Sequence, residues 1–295
     1  MSNTFFLSSL FYAVAILGGL TLLLTTLLVF ANKRLRVDED PRIDAVDQML
    51  PQNNCGACGF PGCRAFAEAL VQNTVSPSQC TVSTGDNHKH IAAFLGVDVG
   101  SQEKRVARLA CAGGSNVARQ QANYTGISSC RAAAIVTGGG KRCSWGCLGL
   151  GDCAVVCQFD AIKMNSHSLP EVDEDRCTAC GDCVSTCPKD LFSLHPVSHL
   201  LWVACSSLGM GDSLLDDCHV ACTACGRCAM DAPGHVISMV NNLPVVDYDE
   251  SPQTQTPIER CPTGAIIWFN ADGTSVKGEE SRHVIRDAAL PATPS

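Results

Sequence analysis

The residues best suited to chemistry are thiols. Cys177-x2-Cys180-x2-Cys183-x3-Cys187 is followed directly by Pro188. Thiolates are soft ligands, and in this spacing the first three cysteines hold one [4Fe–4S] cluster while the fourth reaches across to a second. The second loop of such a pair lies upstream. There Cys147, Cys153 and Cys157 take the first, third and fourth places, Leu150 takes the second, and Gln158 replaces the proline. Crossed ligation then makes Cys157, Cys177, Cys180 and Cys183 a complete set. The other set has Cys147, Cys153 and Cys187 with one vacancy, for which Cys143 on the adjoining turn is the nearest candidate.

A later region tests the crossed rule. Its first loop is Cys222-x2-Cys225-x2-Cys228 with Ala232 in the fourth place, and its second reads Ser251, Thr254, Pro257 and Cys261 before Pro262. Crossing gives one full set, Cys222, Cys225, Cys228 and Cys261, and leaves the other with no thiol at all. Only about 2 of roughly 70 ways of losing four cysteines from eight leave a full set under this rule. A whole cluster has been removed here.

A separate group near the N-terminus, Cys55-x2-Cys58-x4-Cys63 with Cys80, supplies four thiols. Gly56, Gly59 and Gly62 between them let the backbone wrap tightly. A structural zinc site is the plain alternative; the glycine-rich loop without a nearby histidine favours iron–sulfur. Sixteen cysteines thus make about four [4Fe–4S] clusters. Cys111, Cys130, Cys205 and Cys218 are left over. Cys205 and Cys218 read as buried free thiols, while Cys111 and Cys130 are equally open to forming a further group with Cys143. Gly138–Gly140 before Lys141 lacks the phosphate-loop pattern and reads as a flexible turn. No nucleophile–base pair and no dinucleotide fingerprint is found, so the chain has no catalytic side chains of its own.

These thiols need positioning elements. With 5% aromatic residues among 295, the chain is poor in ordinary core, and bound metal is a substitute source of stability. Twenty cysteines point to metal in a reducing compartment rather than to disulfides. A formal charge of −8 argues against nucleic acid. From Phe5 to Ala31 no residue is charged, a stretch of roughly 40 Å as a helix, enough to cross a bilayer. Lys33, Arg34 and Arg36 follow it, which places the soluble part in the cytoplasm, with the anchor in the inner membrane. Residues 1–32 therefore read as a transmembrane anchor and 33–92 as the four-Cys module. Residues 104–194 read as a two-cluster ferredoxin-like domain, 195–270 as a degenerate copy with one cluster, and 271–295 as a loose tail. Within these, 43–50 shows a helical face and 84–90 a loop. The two copies share one plan: a short strand ending in cysteine (Cys111, Cys205), a lone cysteine before the loop (Cys143, Cys218), then the paired loops. The expected class is α+β.

The order of anchor, CGACGFPGC loop with Cys80, RVARLAC, CRAAAIVTGGGKRC, GCLGLGDCAVVC and CTACGDCVSTCP resembles the long form of the B subunit of Rnf-type ion-translocating ferredoxin oxidoreductase complexes. The departures are Ala232, Ser251, Thr254 and Pro257, where long relatives are expected to carry cysteine. The resemblance implies an electron-transfer subunit that accepts electrons from soluble reduced ferredoxin and relays them to membrane subunits of a redox-driven translocase. An anchored ferredoxin-type subunit of another oxidoreductase, or of a complex that keeps a redox-sensitive regulator reduced, is the alternative.

Overall fold

The computed structural model describes residues 2–35, 39–249, 253–270 and 272–291; Arg36 and Ser251 lie outside them. Helix α1 (Ser2–Leu35) has the length and composition to cross a membrane over Phe11–Leu35. Lys33 and Arg34 sit in its last turn, where cations also suit the helix dipole.

The four-Cys module is built on three helices. Helix α2 (Pro41–Met49) starts at Asp40, whose carboxylate accepts the Arg42 N–H at 2.9 Å. It stops because Leu50 precedes Pro51 and turns extended. Helix α3 (Cys63–Val71) packs Phe66 and Leu70 against Ile43 and Val46. Residues 84–90 are not the expected loop: they open helix α4 (Gly85–Leu95). Thr84 caps it by accepting the Asn87 N–H, and Gly96, at φ 70°, ends it in the left-handed conformation. The polar opening GDNHKH hides the helical period, because only Ile91 and Ala92 of this helix are buried.

The next elements are β1 (Arg105–Leu109), α5 (Cys130–Ile135), α6 (Asp152–Val156), β2 (Ile162–Met164), β3 (Pro170–Val172), α7 (Asp182–Thr186) and β4 (Phe192–Pro196). They are followed by β5 (Leu201–Val203), α8 (Arg227–Asp231), β6 (Ile237–Val240), β7 (Leu243–Val246), α9 (Thr256–Glu259), β8 (Ile266–Phe269) and β9 (Ser275–Val276). The duplication is visible in the pairing. An outer pair, β1 with β4 or β5 with β8, flanks an inner hairpin, β2 with β3 or β6 with β7, all antiparallel. Strand β4 runs two residues past the expected boundary at 194, since His195 faces Val106 in the register.

In the degenerate copy, apolar packing stands at two of the positions that lack cysteine, Ala232 and Pro257. Ala232 and Ile258 are buried with Leu201, Val236, Ile237, Ala265 and Ile266, and Pro257 is fully buried. The tail is tied down over its described part. Strand β9 pairs with β8, the Leu290 N–H donates to Ser115 O at 2.9 Å, and Leu290 and Ser281 are buried.

The copies meet along a seam. Trp202 Nε1 donates to Leu109 O at 2.9 Å, Ser206 Oγ to Ala110 O at 2.8 Å, and Ala112 N to Ala204 O at 3.0 Å. Beside it His195 Nδ1 faces His199 Nδ1 at 3.2 Å, and His199 stacks on Tyr248 at 3.7 Å. Burial, then the neighbouring His199, pulls the His195 pKa down to about 4. Between about pH 6.5 and 4 the unfolded chain therefore binds a proton that the folded chain refuses, and stability falls as pH falls. From pH 7 to 5 this residue should cost about 1 kcal/mol, allowing for partial solvent screening. Anaerobic denaturant midpoints of His195→Gln should show a correspondingly shallower pH dependence; an unchanged slope would refute the assignment.

Candidate metal centres

All twenty cysteines are free, and they line five cavities, four to each. Among the described residues no three Cys, His, Asp or Glu side chains converge closely enough to hold a single metal ion. The sulfurs surround a volume instead, as ligands of a cluster would.

The first cavity collects Cys55, Cys58, Cys63 and Cys80. Asn54 Oδ1 accepts the Cys63 N–H at 2.9 Å, and Gln79 Nε2 donates to Cys58 O at 2.8 Å. Gly62 is needed there, since a Cβ would stand 2.9 Å from Asn54 Oδ1.

The second collects Cys157, Cys177, Cys180 and Cys183. The Ala107 N–H donates to Cys177 Sγ at 3.4 Å and the Ala161 N–H to Cys157 Sγ at 3.3 Å. Hydrogen bonds of this kind to a ligand sulfur are one of the levers by which a protein tunes a cluster. The loop turns through two left-handed residues, Ala179 and Gly181.

Gly149 and Gly151 repeat that turn one loop upstream, so the backbone cradle survives although Leu150 has replaced the second thiol. The structure departs from the sequence reading over what fills the gap. The cavity is lined by Cys130, Cys147, Cys153 and Cys187; Cys143 is elsewhere. Asp152 is the cause. Its Oδ2 accepts Ser129 Oγ at 2.8 Å and the Arg131 N–H at 3.1 Å, which seats the start of α5, and hence Cys130, beside α6.

The fourth cavity holds Cys222, Cys225, Cys228 and Cys261, with Cys225 exposed. The fifth is lined by Cys111, Cys143, Cys205 and Cys218, three of the four residues left over by spacing together with Cys143.

Burial governs the thiols' protons. It pushes Cys147, Cys153, Cys183 and Cys228 up to about 12, and Cys222 to about 11. Iron, when bound, would supply the positive charge that offsets this burial.

The comparisons with known proteins agree with this chemistry. The family described as "Putative Fe-S cluster" matches residues 50–82, and "4Fe-4S binding domain" matches residues 169–192. The B subunit of the Na(+)-translocating ferredoxin:NAD(+) oxidoreductase complex of Acetobacterium woodii is 38% identical over 88% of this chain and 78% of its own. Its proton-translocating counterpart from Clostridium ljungdahlii is 37% identical over 81% and 85%. The B subunit of the ion-translocating oxidoreductase complex of Methanosarcina acetivorans is 34% identical over 88% and 98%. The chain belongs to the B-subunit family of Rnf-type ion-translocating oxidoreductase complexes. It is thus a ferredoxin-type electron-transfer subunit of a multi-subunit membrane-associated complex, and [4Fe–4S] clusters are its cofactors.

For this family member, spacing alone could not assign Cys130, Cys205 or Cys218, nor see that Lys141 is structural. Lys141 lies only 7% exposed beside the fifth cavity, and its Nζ donates to Cys147 O at 2.6 Å and to Gly113 O. The one available signal was positional. Cys143 and Cys218 each stand four residues before a cluster loop, and Cys111 and Cys205 each follow an outer strand.

Proposed function

We propose that this chain takes electrons from a reduced soluble ferredoxin and passes them to membrane partners through centres held by four quartets. These are Cys55/Cys58/Cys63/Cys80, Cys157/Cys177/Cys180/Cys183, Cys130/Cys147/Cys153/Cys187 and Cys222/Cys225/Cys228/Cys261. When bound, each [4Fe–4S] cluster stores and releases one electron. The observation that carries the reading is that each quartet draws on distant stretches yet closes around one cavity. The protein's own part is to exclude water, donate N–H groups to sulfur and fix the spacing.

The centres also adjoin one another. Thr81, next to Cys80, donates its hydroxyl to Thr178 O, next to Cys177, at 2.5 Å. Cys153 and Cys183 share one core with Cys157, Cys177 and Cys187. Lys33 and Arg34 at the end of α1 favour a cytoplasmic soluble part and a lipid-embedded anchor. One relative is named for sodium and another for protons, and a single membrane-length helix offers no ion path, so coupling resides in the partner subunits.

The test is an anaerobic titration of the full-length chain with chemically reduced ferredoxin. Bleaching of the iron–sulfur absorbance, with ferredoxin reoxidised in step, is expected. A chain that carries clusters yet takes no electrons from ferredoxin would refute the donor assignment. Limited proteolysis of oriented vesicles checks the side: the soluble part should be cleaved only when the cytoplasmic face is outward.

A further inference from the structure

We propose that Cys111, Cys143, Cys205 and Cys218 hold a fifth [4Fe–4S] cluster, shared between the two ferredoxin-like copies, and that it bridges the first copy's centres to the Cys222 centre. The proposal rests on the reading of the other quartets given above.

The four thiols come in two equivalent pairs. Cys111 follows β1 as Cys205 follows β5, and Cys143 precedes the Cys147 loop as Cys218 precedes the Cys222 loop. Each copy thus contributes half a site that is useless alone. The hydrogen bonds repeat the same symmetry. Cys111 Sγ accepts from Gly113 N and Cys147 N, both at 3.4 Å. Cys205 Sγ accepts from Ser207 N at 3.5 Å and Cys222 N at 3.4 Å.

The cavity between them matches in size that of the Cys55 quartet. Small residues keep it clear. A Cβ on Gly113 would approach Cys218 Sγ to 3.3 Å, and one on Gly146 would stand 3.5 Å from Cys143 Sγ. Lys141 lines the same cavity, buried, and is the one ammonium there. A cluster on four thiolates is anionic, so this cation offsets part of its charge and favours the reduced form.

The position matters most for electron flow. The hydrogen bond from Cys147 N to Cys111 Sγ joins this site to the Cys130/Cys147/Cys153/Cys187 quartet. The bond from Cys222 N to Cys205 Sγ joins it to the Cys222/Cys225/Cys228/Cys261 quartet. One electron leaves a reduced centre on one side and arrives at an oxidised centre on the other, with no bond made or broken. The reductant is the reduced soluble ferredoxin named as donor in the proposed function.

The experiment is iron and acid-labile sulfide analysis of the anaerobically purified, full-length chain, with zinc measured in parallel. About 20 iron and 20 sulfide per chain are expected from five cubanes. About 16 of each, with or without one zinc, would overturn the fifth centre and leave the other four standing; values near zero would instead remove the reading on which it rests. Cys205→Ala and Cys143→Ser should each lose about four irons, the pair together no more than either alone, with the spectra of the other centres retained. Full iron in either variant, or losses that add, would count against a shared site. Lys141→Met should keep its iron and shift the midpoint potential of one centre downward; an unchanged set of potentials would discard the role given to this cation.

Discussion

Cys130→Ala is expected to lose one whole cluster, about four irons per chain, because Cys130 lines one cavity with Cys147, Cys153 and Cys187 whereas Cys143 lines another. Double variants make the assignment decisive. If Cys130 and Cys187 serve one centre, Cys130→Ala with Cys187→Ala removes no more iron than Cys187→Ala alone. Cys143 and Cys187 line different cavities, so if these are separate centres the losses from Cys143→Ala and Cys187→Ala should add to about eight. Additivity for the first pair, or its absence for the second, would reverse the grouping. Asp152→Ala offers a milder check. It removes the acceptor that seats Ser129 and Arg131, so the same centre should become labile to chelators while the Cys177 centre persists.

How far sequence carries the argument depends on where ligands lie along the chain. Cys177, Cys180, Cys183 and Cys187 are legible because one short loop contains them, and loop geometry dictates their spacing. The crossed partner Cys157 is legible because the ligation rule is itself a consequence of two loops facing each other. Cys130 is not, since nothing local ties it to Cys147; its place is set by a helix start that Asp152 holds from another segment. Cys205 and Cys218 fail for a related reason. Both lie in the second copy outside its cysteine loops, and the cavity they line with Cys111 and Cys143 closes only once the seam through Trp202 and Ser206 brings the copies together. The duplication carried the information, in the matched positions of Cys111 and Cys205 and of Cys143 and Cys218. Elsewhere the misreadings are matters of exposure. Helix α4 reads as a loop because its first turns are polar on every side. The tail reads as loose because backbone hydrogen bonds, such as Arg282 N to Pro262 O at 3.1 Å, leave no trace in composition.

Arg108→Met should lower the stability of the soluble part by about 3 kcal/mol, the largest effect expected from any residue that touches no thiol. Arg108 is 5% exposed on β1 and pairs with Glu174, itself largely buried. Its guanidinium also lies 3.7 Å over the ring of Phe269 on β8. One side chain thereby ties the first copy's outer strand to the segment leading into the Cys177 loop and to the second copy. Methionine fills much of the same space but leaves the Glu174 carboxylate buried without its partner, which is the costly arrangement. The companion change Glu174→Gln removes that stranded charge, so the double variant should recover a good part of the loss. Anaerobic denaturant midpoints of the four proteins measure it. Arg108 also neighbours Ala107, whose N–H donates to Cys177 Sγ at 3.4 Å. A shift in the potential of the Cys177 centre should therefore accompany the single change and shrink in the double. A destabilisation that Glu174→Gln does not relieve would mean that the stacking on Phe269, and not the ion pair, holds the seam.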